Sequence, residues 1–225
     1  MDEWRIFLYP LGFLSGLAFG ARFIIQWLQS EKAKQSIVTR SFWKLSLVGN
    51  LLLMLHSFIQ VQFHVCLIQA CNAVISWRNL NLMQTRRPPI SFVTVLGLLT
   101  ASILITCLVF AIQESFFINV GGWFRIPVAP WQTEATSSVP IAWHAIGTLG
   151  YLLFSSRFWI QWWQAERSHA SVLPRSFWYL SLAGAVLSIF YFIRIADSVN
   201  LIGPLIGIIP YVRNLMLINK AKKAV

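Results

Sequence analysis

The sequence contains an internal repeat that returns without a gap. The segment from Arg22 to Glu31, RFIIQWLQSE, returns from Arg157 to Glu166 as RFWIQWWQAE, an offset of 135 residues (157 minus 22). Roughly a third of the positions in the two copies are identical over about 60 residues, which is far above chance even for an apolar composition. Any fold for this chain therefore has to form one structural unit twice. In a bilayer, two such copies can build a site at their interface.

The composition predicts that the repeated unit lies in a membrane. The chain is 57% hydrophobic and only 11% charged, with a mean hydropathy of +0.65, so it is far more apolar than a soluble domain. Its apolar stretches reach the roughly 20 residues that a helix needs to cross a bilayer, where backbone polar groups must pair within the segment. The predicted helices are Ile6–Gln29, Phe42–Gln60, Phe63–Gln84, Phe92–Gln113, Ile141–Gln164, Phe177–Ile195 and Val199–Ile218.

These helices predict an all-α membrane protein with two parallel three-helix units joined by a linker helix, a 3+1+3 arrangement of seven transmembrane helices. The first repeat covers residues 6–84, and the linker helix with an outer loop covers residues 85–140. The second repeat covers residues 141–218, and a basic cytoplasmic tail follows at 219–225. The first span is expected to stay in the mature protein, because Met1–Trp4 lacks the basic region of a signal peptide.

The distribution of charge orients the predicted helices. The net charge of +11 and the pI of about 10.2 do not indicate nucleic-acid binding, because the basic residues lie in short loops between apolar spans. Four basic segments fall on one side of a seven-span chain, and this bias places that side in the cytoplasm. These segments are Glu31–Lys44, Arg86–Arg87, Glu166–Arg175 and Lys220–Lys223. We therefore expect the N-terminus outside and the C-terminus in the cytoplasm.

A polar stripe recurs inside both predicted units. An arginine and a glutamine share one face of the first helix at i and i+4, and an arginine followed by an asparagine recurs in the third helix. Either the arginines snorkel to cytoplasmic headgroups, or they line an anion-receptive cavity together with the amide side chains, since such groups are costly against lipid. The candidate substrate-binding residues are Arg22, Gln26, Arg78, Asn79, Arg157, Gln161, Arg213 and Asn214.

Other features have mostly structural interpretations. Aromatic pairs begin the second helix of each unit, where an aromatic belt at the membrane interface is expected in preference to ligand stacking. These pairs are Phe42-Trp43 and Phe177-Trp178. Small residues at i and i+3 within the same helices predict close helix packing. They are Ser46 with Gly49 and Ser181 with Gly184.

The sequence predicts no metal site, cofactor or catalytic residue. Cys66, Cys71 and Cys107 lie in apolar spans and are interpreted as small core residues, and the four histidines share no spacing. No catalytic triad, carboxylate pair or phosphate-binding glycine loop is recognisable. The amphiphilic loop Gly121–Trp131 is expected to lie on the membrane or to cap the bundle.

Each unit resembles the lipid A biosynthesis N-terminal domain, a small membrane module found ahead of the glycosyltransferase in some lipid-A-disaccharide synthases. The matching residues are Arg22 to Trp27, Ser30-Glu31, Ser36, Phe42-Trp43, Ser46, Gly49 and Arg78 to Leu80, with the second set beginning at Arg157. That module is in turn similar to the PQ-loop and SWEET transporters, in which Gln26 and Gln161 would match the glutamine of the PQ pair. The proline before that glutamine is replaced by Ile25 and Ile160, so the usual kink is missing.

The resemblance implies a role in lipid A or glycolipid biosynthesis at the bacterial inner membrane. No segment is long enough for a soluble glycosyltransferase domain, so a role other than that of the enzyme is expected. The first hypothesis is a carrier or flippase-like protein for an anionic sugar or a lipid-linked sugar, bound by the polar stripe. The alternative is a non-catalytic module that docks a peripheral glycosyltransferase and its lipid substrate. Membrane lipids are the other expected partners.

Overall fold

A computed structural model describes residues 7–85, 88–116, 123, 140–194 and 198–223. Within these residues the chain forms seven helices and no strand, which confirms the predicted all-α class. The helices are α1 (Leu11–Ala33), α2 (Arg40–Ile59), α3 (Phe63–Leu82), α4 (Phe92–Phe116), α5 (Ile141–Ser168), α6 (Arg175–Arg194) and α7 (Ser198–Lys223).

The helix boundaries reproduce the sequence repeat in backbone geometry. α1 and α5 each run about one turn beyond their predicted ends, and each is followed by a residue with a left-handed backbone. These residues are Lys34, with φ of 55°, and His169, with φ of 51°, which stand 135 positions apart. After α1, the backbone amide of Gln35 donates to the carbonyl of Ser30, and this hydrogen bond caps the C-terminus of the helix. In both copies, the first helix is therefore followed by a residue with a left-handed backbone.

Four of the helices in the described part of the chain are long and apolar enough to cross a membrane. They are α1, α2, α4 and α6. The remaining helices, α3, α5 and α7, are 20, 28 and 26 residues long. Seven helices are thus present among the described residues, while the crossing of a membrane by all seven in a 3+1+3 order stays a prediction.

The chain divides into two compact units whose boundaries differ from those of the sequence repeats. The first unit consists of Met1–Phe19 and Trp43–Glu134, and the second consists of Gly20–Phe42 and Ala135–Val225. In the first unit α3 packs against α4, and in the second unit α6 packs against both α5 and α7. The second half of α1, which belongs to the first sequence repeat, is therefore part of the same compact unit as α5, α6 and α7.

Glycines permit close approach of helices and aromatic rings inside each unit, as the small-residue pairs predict. In the first unit, a Cβ at Gly49 would lie 2.5 Å from the ring of Phe19. In the second unit, a Cβ at Gly184 would lie 2.8 Å from the ring of Phe154 and 3.1 Å from the carbonyl oxygen of Gly150. Contacts below 3 Å would force a shift, so a larger residue at either position would separate these elements.

The aromatic pairs at the starts of α2 and α6 do not form an interfacial belt. Phe42, Trp43, Phe177 and Trp178 are all 0% exposed. Within the second unit, the ring of Phe177 packs edge-on against that of Phe158, with 5.4 Å between centroids. The prediction was wrong because a position at the start of a helix does not determine which way the side chain faces, and these four side chains face protein.

The remaining structural predictions concern the first unit. Cys66 and Cys71 are buried free thiols, as expected of small core residues, and Cys66 joins an apolar cluster with Val61 and Phe110. The predicted loop Gly121–Trp131 lies outside the described residues except for Trp123, whose ring packs on that of Phe63 with 4.8 Å between centroids.

Candidate anion-binding site in the second compact unit

The structure divides the eight predicted site residues between the two compact units. Arg78 and Asn79 belong to the first unit, and the other six belong to the second. Arg78 is 2% exposed and its Nη1 donates to Asn81 Oδ1 at 2.8 Å and to the carbonyl of Ile90 at 2.7 Å. Because Ile90 stands just before α4, Arg78 stabilises the connection between α3 and α4. Asn79 donates to the carbonyl of Ile75 in its own helix at 3.0 Å.

In the second unit, two buried guanidinium groups share an aromatic cage. Arg22 from α1 is 3% exposed and Arg157 from α5 is 4% exposed. The Cζ atoms of both arginines lie over the same two rings. Arg22 Cζ is 4.7 Å from the Phe23 centroid and 5.1 Å from the Phe158 centroid. Arg157 Cζ is 5.4 Å from the Phe23 centroid and 4.9 Å from the Phe158 centroid. The two like charges therefore lie close together in a site that excludes water.

The cage follows the sequence repeat. Each arginine lies over the phenylalanine that follows it and over the corresponding phenylalanine of the other repeat, and each also lies over the phenylalanine at the start of the next helix. Those helix-start rings are Phe42 for Arg22, at 5.4 Å, and Phe177 for Arg157, at 5.4 Å. Phe23 and Phe158, and likewise Phe42 and Phe177, are 135 positions apart, so the cage has an approximate two-fold relation.

On the Arg157 side, two hydroxyl oxygens accept hydrogen bonds from the guanidinium group. Arg157 Nη1 donates to Ser181 Oγ at 3.0 Å and to the Tyr211 hydroxyl oxygen at 3.3 Å. Its Nε is buried and has no hydrogen-bond partner among the described residues. Neither hydroxyl carries a charge, and among the described residues no carboxylate contacts Arg157.

This environment compensates the buried charge only in part. Removing an ion from water costs several kcal/mol even after relaxation. A desolvated cation–π contact returns about 2 kcal/mol, and a neutral hydroxyl partner about 1 kcal/mol. Two neighbouring guanidinium groups also repel each other. An anion beside Arg157 would supply a counter-charge, so this side of the cage favours an anionic ligand on physical grounds.

Gln26 and Asn214 bind each other instead of presenting open hydrogen-bonding groups. Gln26 Nε2 donates to Asn214 Oδ1 at 2.8 Å, and Asn214 Nδ2 donates back to Gln26 Oε1 at 3.0 Å. Ser36 Oγ also donates to Asn214 Oδ1, at 2.6 Å. Asn214 Nδ2 further donates to the carbonyl of Pro210, and both amide side chains are 0% exposed. In this conformation the pair joins α1 to α7.

Gln26 and Gln161 have an equivalent second role. Gln26 Nε2 lies 2.9 Å from the carbonyl oxygen of Ile37, and Gln161 Nε2 lies 3.0 Å from that of Val172. Ile37 and Val172 are 135 positions apart, in the connections that follow α1 and α5. Each glutamine therefore holds the connection after its own helix.

Arg213 forms a bidentate ion pair that the sequence analysis did not predict. Its Nε donates to Glu31 Oε1 at 2.6 Å and its Nη2 donates to Glu31 Oε2 at 2.7 Å. Trp27 Nε1 also donates to Glu31, at 2.9 Å. The side chains of Arg213 and Glu31 are 40% and 30% exposed, respectively. Glu31 could have been noticed, because the Trp-x-x-x-Glu spacing recurs at Trp162, whose Nε1 donates to Glu166.

Burial divides the four arginines into two groups. Arg22, Arg78 and Arg157 are enclosed by protein, so they do not extend to lipid headgroups, whereas the side chain of Arg213 is partly exposed. The described residues bring together no group of three histidine, cysteine, aspartate or glutamate side chains that could hold a metal ion. The buried donors and positive charge of the second unit are chemically suited to an acceptor-rich, negatively charged group.

Two residues of the cage were missed as site residues. Trp178 was assigned to a belt, and Tyr211 was not among the candidate residues. The Tyr211 ring lies near those of Phe23 and Trp178, with centroid distances of 5.2 and 6.1 Å. A signal was present in the sequence, because Tyr211 replaces Ser76 two positions before the Arg-Asn-Leu segment that recurs in both repeats.

Comparison with known proteins gives a consistent result across the chain. Residues 11–81 and residues 146–216 each match the family model described as the Lipid A Biosynthesis N-terminal domain. No solved structure matches the chain.

Curated relatives include lipid-A-disaccharide synthases of three Chlamydia species. The chain is 38% identical over 221 residues to that of Chlamydia caviae and 39% identical over 217 residues to that of Chlamydia pneumoniae. It is 34% identical over 221 residues to that of Chlamydia trachomatis serovar D. Each match covers 96% of this chain but only 34% or 35% of the relative, so the chain spans about a third of the length of these proteins. The two family matches include both sequence repeats, and the chain belongs to the Lipid A Biosynthesis N-terminal domain family as a tandem duplication.

Proposed function

We propose that the chain is a membrane module of lipid A biosynthesis that binds a phosphate-bearing glycolipid and holds it for a glycosyltransferase. The observation that carries this proposal is the pair of buried guanidinium groups of Arg22 and Arg157 in one aromatic cage. Guanidinium groups bind phosphate with a planar, bidentate geometry, and they bind most strongly where water is excluded. A phosphate on a membrane lipid would reach such a site from within the bilayer.

The family membership supports the module rather than an enzyme acting alone. The relatives are named for the synthesis of lipid A disaccharide, and the region that resembles this chain makes up about a third of their length. We infer that this third serves the membrane-bound substrate, while a glycosyltransferase acts on its sugar. In this proposal the basic segments between helices contact the peripheral glycosyltransferase and anionic headgroups.

A carrier or flippase-like function is the second candidate, and the approximate two-fold relation of the cage favours it. Many carriers place their substrate between duplicated units, and Arg22 and Arg157 come from the two repeats. A carrier needs contacts that open and close. The partly exposed pair of Glu31 and Arg213 is suited to such a change, because exposed ion pairs contribute little to stability.

The predicted membrane arrangement is part of the proposal. We propose seven spans in the order 3+1+3, with the three-helix repeats at residues 6–84 and 141–218, in the bacterial inner membrane. The N-terminus would be outside and the basic tail cytoplasmic. The exposed apolar side chains of α4, among them Leu104 and Leu108, support this by offering a surface suited to lipid.

Lipid retention tests the binding function directly. The full chain is purified in nanodiscs, and the lipids that accompany it are measured by mass spectrometry for the wild type and for Arg22→Lys with Arg157→Lys. Enrichment of phosphate-bearing glycolipid in the wild type and its loss in the double variant are expected. Arg167→Lys is the matched control, because this arginine lies over the ring of Trp163 outside the cage, at 4.9 Å. Equal enrichment in all three proteins would refute the proposal.

Two further measurements separate the module from the carrier. Recruitment of a lipid-A-disaccharide synthase catalytic domain to vesicles that contain the chain, with faster sugar transfer, is expected of the module. Movement of a labelled glycolipid across sealed vesicles by the chain alone would instead support the carrier.

A further inference from the structure

We propose that the phosphate of the ligand binds asymmetrically, in a cradle formed by Arg157, Trp178 and Tyr211 of the second repeat. This inference rests on the proposed function and identifies the chemical group that the site accepts. It adds Trp178 and Tyr211, two residues outside the predicted set, as groups that contact the ligand.

The first observation is that three hydrogen-bond donors around Tyr211 have no acceptor among the described residues. Arg157 Nε and Trp178 Nε1 are both buried without a hydrogen-bond partner there. The Tyr211 hydroxyl oxygen accepts from Arg157 Nη1, and its own hydrogen reaches no acceptor in the described part of the chain. Buried donors of this kind are rare in folded proteins, because each one carries the cost of its lost hydration.

The second observation is that Arg157 and Trp178 both lie next to Tyr211. The Cζ of Arg157 lies 5.9 Å from the Tyr211 ring centroid, and the Trp178 ring lies 6.1 Å from it. Trp178 and Tyr211 are 0% and 2% exposed. Ser181, one turn after Trp178 on α6, fixes the position of Arg157 by accepting from Nη1 while donating to the carbonyl of Phe177 at 2.6 Å.

The composition of the cradle specifies the ligand group. A guanidinium, an indole N–H and a phenolic O–H offer donors, so the ligand has to supply acceptors. A neutral sugar hydroxyl would leave the buried positive charge uncompensated, whereas an ammonium group would add to it. A phosphate monoester supplies three terminal oxygens and up to two negative charges, which match three donors and two neighbouring arginines. The structure thus points to a terminal phosphate on a lipid.

The substitution that tests this is Trp178→Phe, which removes the N–H and keeps an aromatic ring. In the ligand-free protein it eliminates a buried donor that has no acceptor, while the smaller ring leaves a cavity, so the melting temperature should fall by less than in the matched control below. In the complex it removes a hydrogen bond to a charged oxygen, so affinity should fall about tenfold. If Trp178 had a purely structural role, the affinity would stay unchanged however far the melting temperature fell.

The matched control is Trp162→Phe in the same unit. Trp162 is also buried, but its Nε1 already donates to Glu166 at 2.9 Å. This variant should lower the melting temperature and leave lipid affinity within about twofold of the wild type, since it removes a bond that the ligand does not use.

The probes are dihexanoyl phosphatidic acid and dihexanoyl phosphatidylcholine, added to the full chain in a neutral detergent. Affinity is read from ligand-dependent thermal stabilisation, which follows mass action. The wild type should bind the first lipid and not the second, and Tyr211→Phe should weaken binding as Trp178→Phe does. The Tyr211 variant serves as the test by itself if the Trp178 variant does not fold.

The outcomes separate the two proposals. Selective binding of phosphatidic acid that is weakened by Arg157→Lys but not by Trp178→Phe or Tyr211→Phe would overturn the cradle and leave the proposed function standing. No difference between the two lipids, or no effect of Arg157→Lys, would overturn the anion site and with it the proposed function.

Discussion

The reciprocal amide pair of Gln26 and Asn214 should behave as a structural bond between α1 and α7. Gln26→Ala removes the Nε2 contacts to Asn214, to Ser30 Oγ and to the Ile37 carbonyl, together with the acceptor for Asn214 Nδ2. Nε2 has only two hydrogens for its three contacts, so Gln26 donates two hydrogen bonds and accepts one, which makes three in all. At about 1 kcal/mol net for each, the variant should lose about 3 kcal/mol of unfolding free energy.

A double-mutant cycle with Asn214→Ala isolates the bond between the two side chains. The residues share two hydrogen bonds, Gln26 Nε2 to Asn214 Oδ1 and Asn214 Nδ2 to Gln26 Oε1. Removal of either residue already breaks both bonds, so the double variant should lose about 2 kcal/mol less than the sum of the single variants. The measurement is reversible unfolding of the full chain in mixed micelles, with helix content as the signal.

The control cycle uses Gln164 and Ser176, a partly buried pair in the same unit that shares one long bond of 3.3 Å. Its coupling should stay below about 0.5 kcal/mol. If Gln26 and Asn214 instead served to bind ligand and were open in the free protein, their coupling would be as small as that of the control. A value below about 0.3 kcal/mol would therefore refute the structural role and return both residues to the predicted binding set.

Other predictions concern packing, charge and topology. Gly207→Ala should destabilise the chain by about 1 kcal/mol, because its Cβ would lie 2.6 Å from the Tyr211 hydroxyl oxygen. Gly203→Ala, whose Cβ would have no atom within 4 Å, should stabilise the chain by up to about 1 kcal/mol. Thermal unfolding compares the two variants, and equal shifts in melting temperature would contradict the packing argument. Arg213→Glu should lower the melting temperature at low salt, and the double variant with Glu31→Arg should recover it. No recovery in the double variant would show that Glu31 and Arg213 do not act as a pair. A cysteine placed between residues 124 and 139, in a chain without native cysteines, should react with an impermeant reagent from the outside, and one at Lys34 should not; reaction of both from one side would refute the seven-span topology.

The helices and the repeat were predictable because both depend on local pattern. Apolar runs bounded by turn residues predict the helices, and the offset of 135 residues requires the second unit to reproduce the first, even to the left-handed residues Lys34 and His169. The close contacts at Gly49 and Gly184 were also predictable, since a small residue at a helix crossing has few other physical reasons to occur twice.

The partners of the polar residues were not predictable, because they join positions that the repeat does not relate. Gln26 pairs with Asn214 across 188 residues, and Glu31 pairs with Arg213 across 182 residues. Repeat symmetry relates Gln26 to Gln161 and says nothing about which helix of the other repeat it meets. The burial of Trp178 was missed for a related reason, because helix periodicity shows which residues share a face and not what that face contacts.

One position that differs between the repeats makes the two sides of the cage unequal. In the first unit Ser76 has its hydrogen-bonding capacity used within the protein, since it donates to the carbonyl of Asn72 at 2.8 Å and accepts from Asn50 at 3.1 Å. The corresponding residue of the second unit, Tyr211, turns its hydroxyl to Arg157 and keeps a donor without an acceptor among the described residues. A duplication starts with two equal halves, and an aromatic hydroxyl on one side makes them unequal. We therefore expect one phosphate to be bound by each chain, and a ratio of two in native mass spectra would contradict the role given to Tyr211.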